Sequence, residues 1–181
     1  MDIDAEKALV EKAKTDASAF GQLYDEYFKR IFGYTLRRTA DFQRAQDITS
    51  EVFLKALKNI RSFQWRGVPF SAWLYRIASN EIAYSYKRNS HYHPSLIVST
   101  VEDVCVDGSV LANVELENLD EHLALQECLV KLPLKYQEVI ALRYFEDKNL
   151  AEIAQILGKS ENTVKSLLYR GIDRLKVLIE G

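Results

Sequence analysis

The sequence predicts an all-α protein of two helical domains joined by an acidic, flexible linker. Only 3 prolines and 7 glycines interrupt its 181 residues, a composition that favours long helices. Apolar residues recur at three- and four-residue steps through most of the chain, as they do along one face of an amphipathic helix. Residues 91–118 lack that period, so we expect one domain over residues 1–90 and a second over residues 119–181.

The first domain should consist of amphipathic helices over residues 5–88. Residues 20–32 and residues 48–60 each place their aromatic and aliphatic side chains on one face. The run Arg66-Gly67-Val68-Pro69 breaks the pattern before a last helix over residues 70–87. A domain of this size still buries a workable core.

A strip of acidic and apolar residues lies away from the buried face of the helix over residues 48–60. Its members are Asp47, Ser50, Glu51 and Leu54. Such a strip can dock a basic partner helix, with charge setting the register and the association rate. A merely solvated helix face is the alternative explanation of the same pattern.

Aromatic side chains alternate with basic ones around the break at Gly67 and Pro69. Stacking of single-stranded bases on aromatic rings is worth ~1–3 kcal/mol per base, while Arg and Lys hold the backbone. A loop that captures an extruded base therefore offsets part of the cost of opening a duplex. The candidate DNA contacts of this segment are Arg61, Phe63, Gln64, Trp65, Arg66, Phe70, Arg76 and Asn80. Packing is the favoured role of Trp73, whereas Phe63 and Phe70 fit a core as well as they fit a base.

The linker over residues 91–118 carries five acidic residues and no Lys or Arg, which predicts a mobile acidic tether. Cys105 and Cys128 lie in no CxxC pair, so we expect two reduced thiols. His91, His93 and Cys105 lack the repeated spacing of a metal site. We therefore expect no metal and no cofactor.

Helical periodicity returns after the linker, pauses at Pro133 and ends in a predicted helix-turn-helix. Asn149 and Glu152 have the spacing of a capping box at the start of the first helix of this motif. Gly158 supplies the left-handed turn that ends this helix, and Ser160 is a good N-cap for the next one. An αα-hairpin with a solvated polar face is the alternative.

The second helix of this motif should bury one stripe and expose another. The expected buried stripe is Val164, Leu167, Leu168, Leu175 and Leu178. A polar face on such a helix can enter the major groove, where Arg recognises guanine and Ser or Lys contacts bases or phosphates. The candidate DNA contacts are Glu161, Asn162, Thr163, Lys165, Ser166, Tyr169 and Arg170.

Charge and motif content exclude several classes of protein. The formal net charge is −2, whereas stand-alone DNA binders draw affinity from many phosphate contacts, so we expect strong DNA binding only alongside a basic partner. No apolar run approaches the ~20 residues that span a bilayer, and the acidic N-terminus does not resemble a signal peptide, which predicts a cytoplasmic protein without membrane insertion. Paired carboxylates, a nucleophile with its base and phosphate-binding glycines are not apparent, so we expect no enzyme.

Four passages together resemble the extracytoplasmic-function (ECF) sigma factors, group IV of the bacterial sigma factor family. The resemblance covers residues 20–88 and residues 132–178. The occurrence of all four passages in this order, around an acidic tether, is highly specific. The passages are FGQLYDEYFKRIFGY, AQDITSEVFLKAL, SFQWRGVPFSAWLYRIASN and LPLKYQEVIALRYFEDKNLAEIAQILGKSENTVKSLLYRGIDRL. The resemblance implies three partners: core RNA polymerase through its β′ coiled coil and β flap, promoter DNA, and an anti-sigma factor. It also implies association with the nucleoid when the chain is in holoenzyme.

The resemblance also implies roles for the candidate residues. Asp47, Glu51 and Leu54 match the helix that docks on the β′ coiled coil, and residues 63–70 match the loop that captures a flipped base of the downstream element. Arg76 and Asn80 match the helix beside the melting duplex. The recognition-helix positions that contact the upstream element are matched by Lys165, Ser166, Tyr169 and Arg170.

Two departures from the family pattern bear on these roles. Gln64 and Trp65 precede Arg66-Gly67 where the usual loop has a different sequence, and Leu167 stands where many relatives have Arg. Base preference at the loop and one phosphate contact are therefore left open.

The competing hypotheses are a helix-turn-helix regulator that needs no polymerase, a response regulator, a helical enzyme and an interaction scaffold.

Overall fold

The structure is a computed structural model that describes residues 2–65, 68–88 and 119–180, with side chains from residue 124 onward in the last range. Within these ranges the chain forms helices and no strand, which confirms the all-α prediction. The elements are α1 (Ile3–Ala13), α2 (Ala17–Thr39), α3 (Phe42–Asn59), a 3₁₀ turn (Ile60–Ser62), α4 (Phe70–Arg88), α5 (Leu119–Lys131), α6 (Leu134–Ile140), a π-helical turn (Ala141–Phe145), α7 (Leu150–Leu157) and α8 (Glu161–Glu180).

The first four helices form one bundle whose ends are set by local hydrogen bonds. The Asp16 side chain accepts from the Ser18 amide at the start of α2, and Asp41 accepts from the Arg44 amide at the start of α3. Between these caps, Ala40 adopts a left-handed conformation (φ 48°) that turns the chain from α2 into α3. These caps leave the apolar faces of the helices free to meet in a common core. Fully buried members of that core include Val10, Leu23, Ile31, Val52, Phe70, Leu74 and Ile82.

A buried polar network crosses this bundle. Arg38 has no exposed surface and donates hydrogen bonds to Tyr34 Oη (2.8 Å) and Ser79 Oγ (3.4 Å). Tyr34 Oη and Ser79 Oγ are themselves 2.8 Å apart. Because unsatisfied buried polar groups are costly, this network fixes the register of α4 against α2.

The second domain contains the predicted helix-turn-helix. Asn149 and Glu152 form a complete capping box, Gly158 is left-handed (φ 63°), and Ser160 Oγ accepts from the Thr163 amide at 3.2 Å. The predicted helix start, turn and second cap are therefore all confirmed. The break at Pro133 is also confirmed, since it lies between α5 and α6.

The predicted buried stripe of α8 holds only in part. Val164 is fully buried, and Leu167, Leu168 and Leu175 pack partly against the core. Leu178 is 38% exposed, so the prediction that it is buried was wrong. The last turn of α8 leaves its apolar side chains open to solvent, with Val177 and Ile179 also exposed.

The two domains contact each other through a buried carboxylate. Glu146 follows the π-helical turn, and its side chain accepts hydrogen bonds from Arg37 of α2 and Tyr75 of α4. The Gln126 side chain donates to the Leu36 carbonyl at 3.1 Å across the same boundary. The Arg76 guanidinium also reaches the second domain, where Nη2 lies 3.0 Å from the point that a Cβ on Gly158 would occupy.

Candidate nucleic-acid and partner-binding surfaces

The polar face of α8 is exposed over its first three turns. Lys165, Ser166, Tyr169 and Arg170 all lie on the surface, and Tyr169 is 61% exposed. Because residues three and four apart are neighbours on a helix, these side chains form one contiguous patch. The structure thus brings the four predicted recognition residues together.

Close packing of α8 against α6 aims that patch outward. Gly171 is buried, and a Cβ at this position would lie 3.1 Å from Ile140 Cδ1 and 3.3 Å from Tyr136 Cβ. The glycine therefore lets α8 approach α6 closely on the side away from Tyr169. This approach was not predicted, although a glycine inside an apolar helical stripe is a sequence signal for it.

The first turn of α8 completes the patch. Glu161, Asn162 and Thr163 are exposed there. The Thr163 amide already donates to Ser160 Oγ, and the Thr163 hydroxyl lies 2.8 Å from the same oxygen. This cap occupies one of the amides that a helix N-terminus otherwise offers to a phosphate.

An aromatic cluster lies where α4 begins. The Phe63 ring centroid is 4.9 Å from Trp73, 5.5 Å from Phe70 and 6.3 Å from Trp65. Phe70 is fully buried, so the expectation that its ring contacts DNA is corrected: Phe70 supports the cluster from inside. Phe63, Trp65 and Trp73 are half-buried and keep part of each ring accessible.

A surface cleft opens beside these rings. One part, about 400 Å³, is lined by Ser62, Phe63, Gln64 and Trp73, and an adjoining part of about 360 Å³ includes Trp73 and Asn80. These volumes fall within the ~300–1,000 Å³ usual for small-ligand sites. The cleft therefore combines aromatic faces for stacking with amide side chains for hydrogen bonding.

The remaining predicted residues of this segment are more dispersed. Arg61 is exposed, and its Nε donates to the Lys14 carbonyl at 3.3 Å. Arg76 is exposed on α4 beside Gly158 of the second domain. Arg66 lies outside the described residues, as do Cys105 and the acidic linker over residues 91–118.

The acidic and apolar strip on α3 borders a groove of about 650 Å³ between α3 and α4. Asp47 and Ser50 are exposed, Leu54 is 42% exposed, and Glu51 is half-buried at 3.5 Å from Lys55. The four predicted residues are thus accessible along one side of α3. The exposed Tyr84 on the opposite wall of the groove was not predicted.

An apolar cavity of about 330 Å³ lies in the second domain and was also not predicted. Its lining comes from α5, the end of α6, the π-helical turn and α8: Leu125, Leu129, Ile140, Tyr144, Phe145, Ile172 and Leu175. Helical periodicity alone does not distinguish such a half-open cavity from a closed core, because the same apolar residues would line either one.

Burial and charge perturb several groups near the domain boundary. Desolvation raises the pKa of Glu138 above 4.5, although Arg38 and Lys159 partly oppose the shift. Burial, reinforced by the neighbouring Glu146 carboxylate, raises the pKa of the Tyr75 hydroxyl. Tyr75 is therefore a hydrogen-bond donor to Glu146 at physiological pH.

Both domains match known families. Residues 23–92 match sigma-70 region 2, and residues 122–175 match sigma-70 region 4. The chain is 32% identical over 182 residues to the ECF RNA polymerase sigma factor SigW of Bacillus subtilis (strain 168), with 97% of each chain covered. The chain belongs to the ECF RNA polymerase sigma factors. Its function is promoter-directed initiation of transcription.

A second relative agrees with this assignment, and a solved structure has a similar fold. The sigma factor is 34% identical over 172 residues to the ECF RNA polymerase sigma factor BldN of Streptomyces coelicolor (strain ATCC BAA-471 / A3(2) / M145), covering 94% of this chain and 64% of that relative. Its fold is similar to that of CnrH solved in complex with the cytosolic domain of CnrY, with a TM-score of 0.72, 21% identity and 97% of each chain covered.

Neither a metal cluster nor a membrane span is found in the part of this sigma factor that the structure describes. No group of three or more His, Cys, Asp or Glu side chains there is placed to hold a metal ion. No described helix combines the length and apolar character needed to cross a bilayer. Cys128 is a free, buried thiol.

Proposed function

We propose that this sigma factor, a group IV member with no catalytic site of its own, contacts two promoter elements through separate surfaces while core RNA polymerase holds it. The observation that carries the proposal is the pairing of an exposed recognition face on α8 with an aromatic cleft at α4, on a chain of net charge −2. Because such a chain gains little from phosphate contacts, it needs polymerase to bring both surfaces to DNA.

The upstream element is contacted by the α8 patch. Arg170 supplies two donors in a plane, which suits guanine, and each good bidentate contact discriminates by ~1–3 kcal/mol. Lys165 and Ser166 contact bases or phosphates on either side of that guanine. Asn162 and Thr163 contact the backbone near the first turn of α8, with Glu161 beside them.

The downstream element is melted and held at the aromatic cleft. An extruded base stacks on Trp65, Phe63 or Trp73, and Gln64 and Asn80 contact its edge. Arg61, Arg66 and Arg76 hold the backbone of the separated strand. Stacking at ~1–3 kcal/mol per base supports this role, because it offsets the unstacking of the duplex.

Core polymerase docks on two surfaces. The α3 strip of Asp47, Ser50, Glu51 and Leu54 binds the β′ coiled coil, where its charges set the register. The apolar cavity lined in part by Tyr144 and Phe145 suits the β flap.

An anti-sigma factor restrains the protein, which acts in the cytoplasm and joins the nucleoid as holoenzyme. Two solved complexes of similar fold support the inhibitory partner. CnrH was solved in complex with the cytosolic domain of CnrY, and the sigma factor RpoE from Bartonella quintana in complex with the anti-sigma factor NepR.

Single substitutions test these roles within holoenzyme. Arg170→Ala should weaken binding about tenfold or more at promoters with an intact upstream element and little at promoters whose upstream element is scrambled. Lys176→Ala removes the same charge from the same helix, six residues on, and should lack this selectivity. An equal loss on both promoters for Arg170→Ala would make Arg170 a phosphate contact instead.

The melting role has its own test. Trp65→Ala should reduce the permanganate reactivity of unpaired thymines within the downstream element more than it reduces holoenzyme formation. Wild-type permanganate reactivity in this variant would remove Trp65 from the melting role.

A further inference from the structure

Helix α1 lies outside residues 23–92, which match sigma-70 region 2. It nevertheless helps to hold both ends of residues 61–70, called here the aromatic segment. At the segment's start, Arg61 Nε donates to the Lys14 carbonyl just past the end of α1 at 3.3 Å. At the segment's end, the Phe70 amide donates to Glu6 Oε1 of α1 at 3.1 Å. Each of these two hydrogen bonds joins residues more than forty positions apart in sequence. Together they tie α1 and the residue after it to the two ends of residues 61–70.

Glu6 belongs to α1, but its buried side chain lies at the start of α4. Its side chain accepts from both the Phe70 amide and the Tyr27 hydroxyl, the latter at 2.5 Å, and the residue is only 4% exposed. The Phe70 amide belongs to the first turn of α4, where backbone donors have no partner within the helix. An acidic acceptor is favoured at that end of a helix by the helix dipole, so Glu6 fixes the point at which α4 begins.

The position of Phe70 at the start of α4 determines where the rings that line the cleft lie. The Phe70 ring centroid lies 5.5 Å from Phe63 and 5.4 Å from Trp73, and both of those rings line the cleft. The Tyr27 ring also packs against Phe70, with the two ring centroids 6.0 Å apart. A shift of Phe70 therefore moves the stacking rings, because closely packed interiors transmit displacement.

We infer that Glu6 is a positioning residue for base capture, through which α1 keeps the aromatic cleft formed before DNA arrives. The inference rests on the proposed role of the cleft in holding an extruded base. A cleft that is already formed binds a base more tightly, because binding then loses less free energy to the ordering of the cleft's side chains.

The test measures the affinity of holoenzyme for a single-stranded oligonucleotide of the downstream element, alongside the affinity of the sigma factor for core polymerase. Glu6→Ala should weaken single-strand binding about tenfold, the equivalent of ~1.4 kcal/mol, and change the core affinity less than about twofold. Glu6→Gln keeps a carbonyl oxygen toward Phe70 and should restore most of the loss. Thr49→Ala removes a buried hydroxyl of α3, which lies 2.9 Å from the Thr35 hydroxyl of α2, and it should leave single-strand binding unchanged.

Two results would overturn the inference: wild-type single-strand binding by Glu6→Ala, or equal losses in Glu6→Ala and Thr49→Ala. Should Glu6→Ala not fold, Tyr27→Phe decides, since it removes one of the two partners of Glu6; about a threefold loss supports the inference and no loss refutes it. The double variant Trp65→Ala, Trp73→Ala tests the underlying proposal separately, because it removes two of the three accessible rings. Intact single-strand binding by that variant would refute the role of the cleft, whatever Glu6 does.

Discussion

Replacing Glu146 with alanine should separate the two domains in the free sigma factor. The Glu146 side chain is 6% exposed and accepts from Arg37 and Tyr75 of the first domain. Hydrogen bonds to a charged group contribute ~1.5–3 kcal/mol each. Arg37 is 32% exposed, so solvent screening reduces its share. We therefore expect a combined loss of about 2–3 kcal/mol, or roughly 30- to 150-fold in the closing equilibrium.

Small-angle X-ray scattering measures this opening directly. A compact chain of 181 residues has a radius of gyration near ~16 Å, and Glu146→Ala should raise the value by several ångströms above wild type. Asp147→Asn is the matched control, because it removes one negative charge at the next, exposed residue. Asp147 has a φ of 51°, a conformation that asparagine tolerates well. Superimposable curves for wild type and Glu146→Ala would refute the reasoning.

Three further substitutions test local features of the second domain. Asn149→Ala removes the capping box of α7 and should lower the free energy of unfolding by about 1 kcal/mol, as measured by urea denaturation. Gly158→Ala places a side chain in a left-handed conformation beside Arg76 and should lower Tm in a calorimetric scan. Because burial raises the pKa of Glu138 above 4.5, folding loses stability as pH rises from that value through the raised pKa. Glu138→Gln should therefore be more stable relative to wild type at about pH 7 than at about pH 4, and an unchanged difference in denaturation midpoints would contradict this assignment.

The helix boundaries of the second domain were predictable because they are encoded locally. Asn149, Gly158 and Ser160 each act within three or four residues, so their spacing specifies the capping box, the turn and the second cap. The exposed patch around Arg170 followed from the same short-range pattern. These features needed no knowledge of distant contacts.

The features that were not predicted depend on distant residues. Glu146 meets Arg37 across 109 positions, and Glu6 meets Phe70 across 64, so no local pattern indicates either contact. The aromatic segment posed a different difficulty. Periodicity groups aromatic residues without saying which rings the bundle covers, and only packing separates the buried Phe70 from the half-exposed Phe63.

Run-off transcription with purified core RNA polymerase on genomic fragments tests the central claim most directly. Two helical domains with a net charge of −2 should direct initiation only when polymerase holds them, so transcripts from a subset of fragments should require both components. Transcripts that are the same with and without the sigma factor on every fragment would contradict the account.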